Sequence, residues 1–275
     1  MKNLLLSFFF LMITSSVIKG ANDHHAIGAR ATALGHSSIS FKDLWSIVNN
    51  QAGMAFIDRP TLGVSYEERF MMKEMSLKTV AFILPTNRVG NFGFSYTHFG
   101  DSEFNEFRIN VGYAMPLGEH FAMGLAFDYL GMSVSGSSES GHTGTVTGEL
   151  GIMGEPIENL WLSAHAYNPF GVSISDYEYE EPIPTILSIG ALYHFTEDVF
   201  FLAEVEKDID YDTRVKAGIE YRAWDKLFLR GGITTNPTEF SGGIGVELQN
   251  FKADLAFYKH QYLGYTPSIS LSYAF

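Results

Sequence analysis

Glu106-Phe107-Arg108-Ile109-Asn110-Val111-Gly112-Tyr113-Ala114-Met115 alternates a large apolar side chain with a small or polar one at almost every step. Successive side chains of a strand point to opposite faces. Phe107, Ile109, Val111, Tyr113 and Met115 therefore share one face, and Arg108, Asn110, Gly112 and Ala114 the other. The next stretch repeats the pattern, with Phe121, Met123, Leu125, Phe127 and Tyr129 against Ala122, Gly124, Ala126 and Asp128. So does the last, with Ile269, Leu271, Tyr273 and Phe275 against Ser268, Ser270, Ser272 and Ala274. Outward from residue 106, such runs fill the chain from Thr61 to Phe275 and number roughly fourteen. They are expected to start near Thr61, Lys73, Arg88, Glu103, Phe121, Thr143, Asn159, Thr185, Val199, Asp212, Lys226, Glu239, Phe251 and Thr266.

Each run has the ~9–11 residues with which a tilted strand crosses a bilayer, and an even number of antiparallel strands can close into a barrel without a free edge. The expected fold is all-β, a transmembrane antiparallel β-barrel over residues 60–275. A soluble sandwich alternates equally well but hides its apolar face, so alternation alone does not separate the two. Turn chemistry favours the barrel. Pro85-Thr86-Asn87, Pro116-Leu117-Gly118-Glu119, Glu155-Pro156-Ile157-Glu158, Thr196-Glu197-Asp198 and Ala223-Trp224-Asp225 read as tight periplasmic turns. Residues 133–142, rich in Gly and Ser, and residues 168–184, with Asp176, Glu178, Glu180 and Glu181, read as longer external loops.

Residues 1–20 begin with one charge at Lys2, then run apolar from Leu4 to Ile13 and turn small and polar at Thr14 to Ser16, the pattern of a cleaved secretory signal peptide. That apolar run is too short for a hydrocarbon layer of ~30 Å, and no later stretch reaches about 18 apolar residues, so helical spans are not expected. Cysteine is absent, which removes disulfides and thiol lipidation. The formal charge of -13 becomes about -15 when Lys2 and Lys19 leave with the signal, which argues against nucleic acid as a partner. The 23 Phe and 14 Tyr beside 27 Gly suit sheets with close approaches.

Residues 21–59 have no place in the strand count. Residues 28–36 are small and residues 41–48 could form a brief helix. Such a segment can fold back into a barrel as a hatch; the alternative is a disordered periplasmic leader, against which its Ala, Phe, Trp and Met content weighs.

Gly28-Ala29-Arg30-Ala31, then Leu34-Gly35-His36, then Asn49-Asn50-Gln51-Ala52-Gly53-Met54, resembles the N-terminal signature of FadL-like outer-membrane proteins, especially the PorV/PorQ group. The closing Leu263-Gly264 and Ser268-Ile269-Ser270-Leu271-Ser272-Tyr273-Ala274-Phe275 is similar to that family's end. The resemblance implies a fourteen-stranded barrel with an N-terminal hatch, whose motif here is Gly28, Ala29, Arg30, Asn50, Gln51, Ala52 and Gly53. Gln51 stands where the family has proline, and the short external loops leave little room for a surface groove.

The face opposite the apolar one carries Lys78, Arg108, Asp128, Glu149, Glu204, Lys216, Glu220, Arg222, Arg230, Glu247, Lys252 and Asp254. Inward charges of both signs pair across strands. Arg108 with Asp128 and Arg230 with Glu247 are the expected pairs. This ladder either fills a narrow lumen and holds the hatch or lines a ligand path. Tyr273 and Phe275 resemble the terminal signal read by the outer-membrane assembly machinery. No enzyme is expected: His142, His165 and His260 are scattered, no Gly-x-Ser-x-Gly elbow occurs, and Asp208, Asp210 and Asp212 read as a solvated turn. No cofactor or metal is expected, since His24 and His25 point opposite ways on an extended chain and no Cys or carboxylate cluster completes a site. The resemblance implies a partner-binding component of type IX secretion or surface attachment. The alternatives are a FadL-like passive channel for small hydrophobic molecules and a structural barrel without substrate. In each case the surroundings are outer-membrane lipid.

Overall fold

Fourteen of the expected runs form strands that pair antiparallel in chain order and close on themselves. The computed structural model describes residues 24–86, 89–135, 141–175 and 180–275. The signal-peptide expectation lies outside these, as do Asp176 and Glu178. The first half of the barrel is β1 (Thr61–Glu68), β2 (Ser76–Thr86), β3 (Gly90–Gly100), β4 (Phe104–Pro116), β5 (Phe121–Val134), β6 (Gly141–Ile157) and β7 (Leu160–Tyr167). A small separate hairpin follows, β8 (Ser173–Ser175) with β9 (Glu180–Pro182). The barrel resumes with β10 (Ile186–His194), β11 (Val199–Asp208), β12 (Arg214–Trp224) and β13 (Leu227–Thr234). It ends with β14 (Glu239–Leu248), β15 (Phe251–His260) and β16 (Gly264–Ala274). Closure is the β1–β16 ladder, from Thr61 opposite Ala274 to Glu67 opposite Ser268.

The apolar face looks outward. Val111 is 54% exposed and Phe127 62%, while Asn110, Ala114 and Asp128 on the alternate face are fully buried. An exposed greasy belt running round the whole wall is untenable in water and is what lipid requires. Aromatic side chains gather at both ends of that belt: Tyr66, Tyr96, Phe107, Tyr129 and Tyr265 at one, Tyr113, Tyr193, Trp224, Tyr273 and Phe275 at the other. Their polar edges and apolar rings suit the headgroup level.

Several expectations need correction. The strand expected from Lys73 begins at Ser76, because Arg69–Met71 and Lys73–Met75 fold as tight 3-10 turns. β6 runs on to Ile157 past a register shift after Gly154, so the turn placed at residues 155–158 is shorter. Strands also reach Val134 and Gly141, well into the expected loop at 133–142. The asymmetry of connections is partial: residues 101–103 and 261–263, at the external end, are as short as the turns at the opposite end. The described residues 168–175 and 180–185 do not simply project. Ile174 and Ile183 turn inward and bury against Leu130, Tyr167 and Ile186. Asn168 ties the ends of this loop, accepting from Val172 N at 2.9 Å and donating to Ile183 O at 2.9 Å.

The end of the barrel carrying both Thr61 and Phe275 has the shorter turns and is taken as periplasmic. There the Phe275 N–H donates to the Pro60 carbonyl at 2.9 Å, and the Phe275 ring meets Tyr273 edge-on at 5.1 Å. Deleting Phe275 removes the last aromatic of an outward row while leaving the β16 ladder whole. Most of the protein is then expected in the periplasm rather than the outer membrane, as read by fractionation and immunoblot; unaltered outer-membrane levels would refute that role.

Candidate functional site

Inside the wall lies the chain before β1. Its elements are α1 (Ala29–Ala33), α2 (Ser46–Asn49) and a 3-10 turn, Gln51–Phe56. Gly28 (φ 103) and Gly35 (φ 69) bracket α1, and a left-handed backbone there favours glycine. The helix expected over residues 41–48 forms only from Ser46. Asp43 first takes the Trp45 N–H at 3.0 Å and the Ser46 hydroxyl accepts from Asp43 N at 3.3 Å, a side-chain turn that competes with helix. Asn49 holds Ile27 by both backbone groups, at 2.9 and 3.0 Å, so the segment closes on itself.

The segment crosses the lumen. α1 packs on β13 to β16, and the 3-10 turn on β3 to β6, on opposite arcs of the ring. Leu34, Ile47, Val48 and Met54 are fully buried there. Wall glycines make room: a Cβ on Gly93 or Gly112 would strike Ile47 and Met54, and one on Gly232 would strike the Leu34–Gly35 backbone. Polar wall side chains satisfy the segment's backbone, as buried amides require. Ser270 accepts from Ala29 N at 3.2 Å, Ser241 from Gly35 N at 2.9 Å and Glu204 from Ser38 N at 2.8 Å. Asn91 donates to the carbonyls of Met54 and Ile57 at 2.6 and 2.8 Å.

Of the residues expected to form a hatch motif, Ala29, Asn50, Gln51, Ala52 and Gly53 are buried, and Arg30 reaches the wall. Arg30 makes two parallel bonds of 2.9 Å to Glu220, a bidentate pair with geometric as well as coulombic strength. Glu220 also accepts from Arg230 at 2.6 Å, Arg230 continues to Asp254 at 2.6 Å, and Arg30 continues to Asp43 at 3.4 Å. The result is an alternating chain Asp43, Arg30, Glu220, Arg230, Asp254. Lys216 bridges Glu204 at 2.9 Å and Glu206 at 2.6 Å. Arg108 lies 3.8 Å from Asp128 and 4.0 Å from Glu149.

Several charges are placed otherwise than expected. Arg230 does not meet Glu247: the register sets Arg230 opposite Gly243, and Glu247, farther toward the periplasm, pairs with Lys252 at 3.1 Å in a solvated rim. Arg222 is also at that rim, bonded to Asp198 at 2.7 Å. Lys78 points outward, flanked in register by the outward Tyr66 and His98. One more inward residue was legible and unused: Tyr258, buried at the external half with its ring on His36 at 4.7 Å.

Among the described residues, two cavities lie above the segment, toward the external end. One, ≈ 280 Å³, has apolar walls from Ile27, Met75, Leu77, Phe99, Phe104 and Leu130, with Arg69, Arg108 and Glu106 among its polar groups. The other, ≈ 340 Å³, is polar, lined by His24, His25, His36, Arg214, Lys216, Glu206 and Glu239. They adjoin at His25 and Arg69. Burial holds both His24 and His25 well below the ordinary histidine range, so each ring is neutral at pH 7. At the rim the Asp101 carboxylate, accepting the Phe104 and Glu103 N–H groups, is held below its usual range.

The histidine pair does separate, His25 facing His36 at 4.6 Å and His24 facing Tyr167 at 4.4 Å. One carboxylate does approach the pair across the fold: His24, Glu149 and His165 converge, their ligand atoms all within 4.8 Å of one another. No spacing signals this, because the three come from the segment, β6 and β7. His142 is likewise not isolated, its Nδ1 lying 3.0 Å from Ser133 Oγ on the exposed rim. Asp208 accepts from Asp210 N at 3.0 Å, a local turn.

A closed, even-stranded antiparallel barrel, greasy outside and charged within, defines an outer-membrane-type β-barrel. Solved structures narrow this to a FadL-like architecture. The TodX monoaromatic hydrocarbon channel, as a deltaS2 mutant, superposes with a TM-score of 0.71 at 13% identity, over 92% of this chain and 100% of that one. The Pseudomonas putida toluene transporter TodX gives 0.70 at 13% identity, over 92% and 99%. A Pseudomonas aeruginosa FadL homologue gives 0.67 at 12% identity, over 92% and 100%. No family model matches the chain, and no curated protein matches it.

Proposed function

We infer that the chain is an outer-membrane diffusion channel for small hydrophobic molecules, entered from the external side and closed by its N-terminal segment acting as a hatch. The observation that carries this reading is the apolar-walled cavity of ≈ 280 Å³ between the external rim and Ile27 of the segment. An apolar solute gains most where a concave apolar site takes it out of water. A cavity of roughly 150 Å³ lined by Leu, Ile and Phe already holds benzene. The wall strands, with Ile27 and Met75, supply the site, so short external loops are no obstacle. The likeness to TodX and to a FadL homologue supports the same reading, and supports it better than a secretion role.

Leu77 sits in this cavity with its side chain buried. In cells with an intact outer membrane, expression is expected to speed uptake of labelled toluene, and Leu77→Glu to abolish most of that gain, because a carboxylate there cannot stay charged without cost. Uptake equal in expressing and non-expressing cells, or equal for wild type and variant, would sink the reading.

A second reading, a PorV/PorQ-like component that binds type IX secretion partners, is favoured by Met71, Phe170, Ile209, Tyr262 and Leu263, all exposed on external turns. Secretion subunits retained through mild-detergent purification would support it. With neither uptake nor retained partners, a structural barrel is what stands.

A further inference from the structure

We propose that His24, Glu149 and His165 form a binding site for one zinc-class divalent metal ion, which ties the N-terminal segment to the barrel wall. His165 Nε2 and Glu149 Oε2 are 2.8 Å apart, with side chains 1% and 0% exposed. His24 completes the group from the segment, and all three ligand atoms lie within 4.8 Å of one another. An ion bound at ~2.0–2.1 Å in a tetrahedron holds its ligands roughly 3.4 Å apart, so shifts of a fraction of an ångström to about 1.4 Å close the site.

Three further features point to an ion. The buried Nε2 of His24 has no hydrogen-bond partner, although such atoms are nearly always satisfied. The backbone of Val48 hydrogen-bonds the same ring, the outer contact that orients a ligating histidine and leaves its other nitrogen free. Glu149 is oriented in turn, accepting from Gln51 Nε2 at 2.8 Å and Asn110 Nδ2 at 3.3 Å. Two imidazoles and one carboxylate suit Zn²⁺, Co²⁺ or Ni²⁺; Ca²⁺ and Mg²⁺ prefer an all-oxygen shell. His24, alone of the three, also lines the ≈ 340 Å³ cavity. Coordination at His165 Nε2 replaces the hydrogen now shared with Glu149, leaving the neutral ring protonated at Nδ1. Because Glu149 and His165 belong to the wall and His24 to the segment, an ion here favours the closed lumen by mass action.

The test is titration of tag-free, detergent-solubilised full-length mature protein with Co²⁺, followed by its visible ligand-field absorption, then displacement by Zn²⁺ with metal content measured after desalting. One equivalent is expected. His24→Ala and His165→Ala should each weaken binding by more than the ~10–100-fold typical of losing an outer contact, and Gln51→Ala by about that 10–100-fold. His25→Ala, the adjacent histidine, should bind as wild type. Absence of a saturable Co²⁺ spectrum in the wild-type protein overturns the proposal whatever the variants do. So does unchanged affinity in His24→Ala, or loss of the spectrum in His25→Ala.

Discussion

Removing residues 26–55 turns the closed barrel into an open pore, with single-channel conductance in planar bilayers rising by at least about tenfold. A barrel of eight strands is just filled by its own side chains, whereas sixteen or more leave an aqueous channel. With fourteen strands the lumen here is too wide for wall side chains alone, and Leu34, Ile47, Val48 and Met54 of the segment occupy the difference. The wall has given up side chains at Gly93, Gly112 and Gly232 to admit them. Deletion therefore leaves a space that the wall cannot refill. It also exposes Glu149, Glu204 and Glu220, whose carboxylates lose partners on the segment, so the pore should select cations. Conductance no greater than that of the intact chain would mean that the segment does not obstruct permeation.

The wall was far easier to read than its contents, for a physical reason. Lipid imposes one rule on every strand, apolar outward at alternate positions, and the rule is local. Glu106 to Met115 obeys it without reference to any other part of the chain, so strand existence and facing were legible. Exceptions arise where lipid no longer decides. Lys78 and Arg222 stand near the headgroups, where a charge on either face reaches water. Pairing inside the lumen is not local at all. Arg108 beside Asp128 could be reached from adjacency of strands alone, but Arg230 required the register, which sets it opposite Gly243 and two strand steps short of Glu247. The meeting of His24 with Glu149 and His165 required the path of the segment as well. A 3.6-residue or two-residue period says nothing about that path, because the segment is irregular and its shape is set by Gly28, Gly35 and the Asn49 clamp on Ile27.

The segment's bidentate ion pair to the wall can be cut at one residue, and the chain of charges Asp43, Arg30, Glu220, Arg230, Asp254 shows which. Asp43 and Arg30 both belong to the segment, while Glu220, Arg230 and Asp254 all belong to the wall. Glu220→Ala divides the chain into two ion pairs, Asp43 with Arg30 and Arg230 with Asp254, each neutral and each confined to its own side. Little charge is left uncompensated, so the loss should be near ~1.5–3 kcal/mol, that of a hydrogen bond to a charged group. Arg230→Ala instead leaves Asp254 buried without its cation and Glu220 with one of two partners, and should cost about 3–5 kcal/mol. The two effects on the segment run the other way. Glu220→Ala removes the bidentate bond of Arg30 to the wall while Ser270, Ser241, Glu204 and Asn91 still hold the segment's backbone, so trypsin should cleave at Arg30 faster than in the wild type and conductance should rise by less than in the deletion. Arg230→Ala preserves the bidentate Arg30–Glu220 pair, so its segment should stay protected in a barrel that unfolds at lower temperature. Heat-dependent gel mobility reads the first quantity and trypsin cleavage of folded protein the second. If Arg230→Ala frees the segment while Glu220→Ala does not, Arg30 is not its anchor.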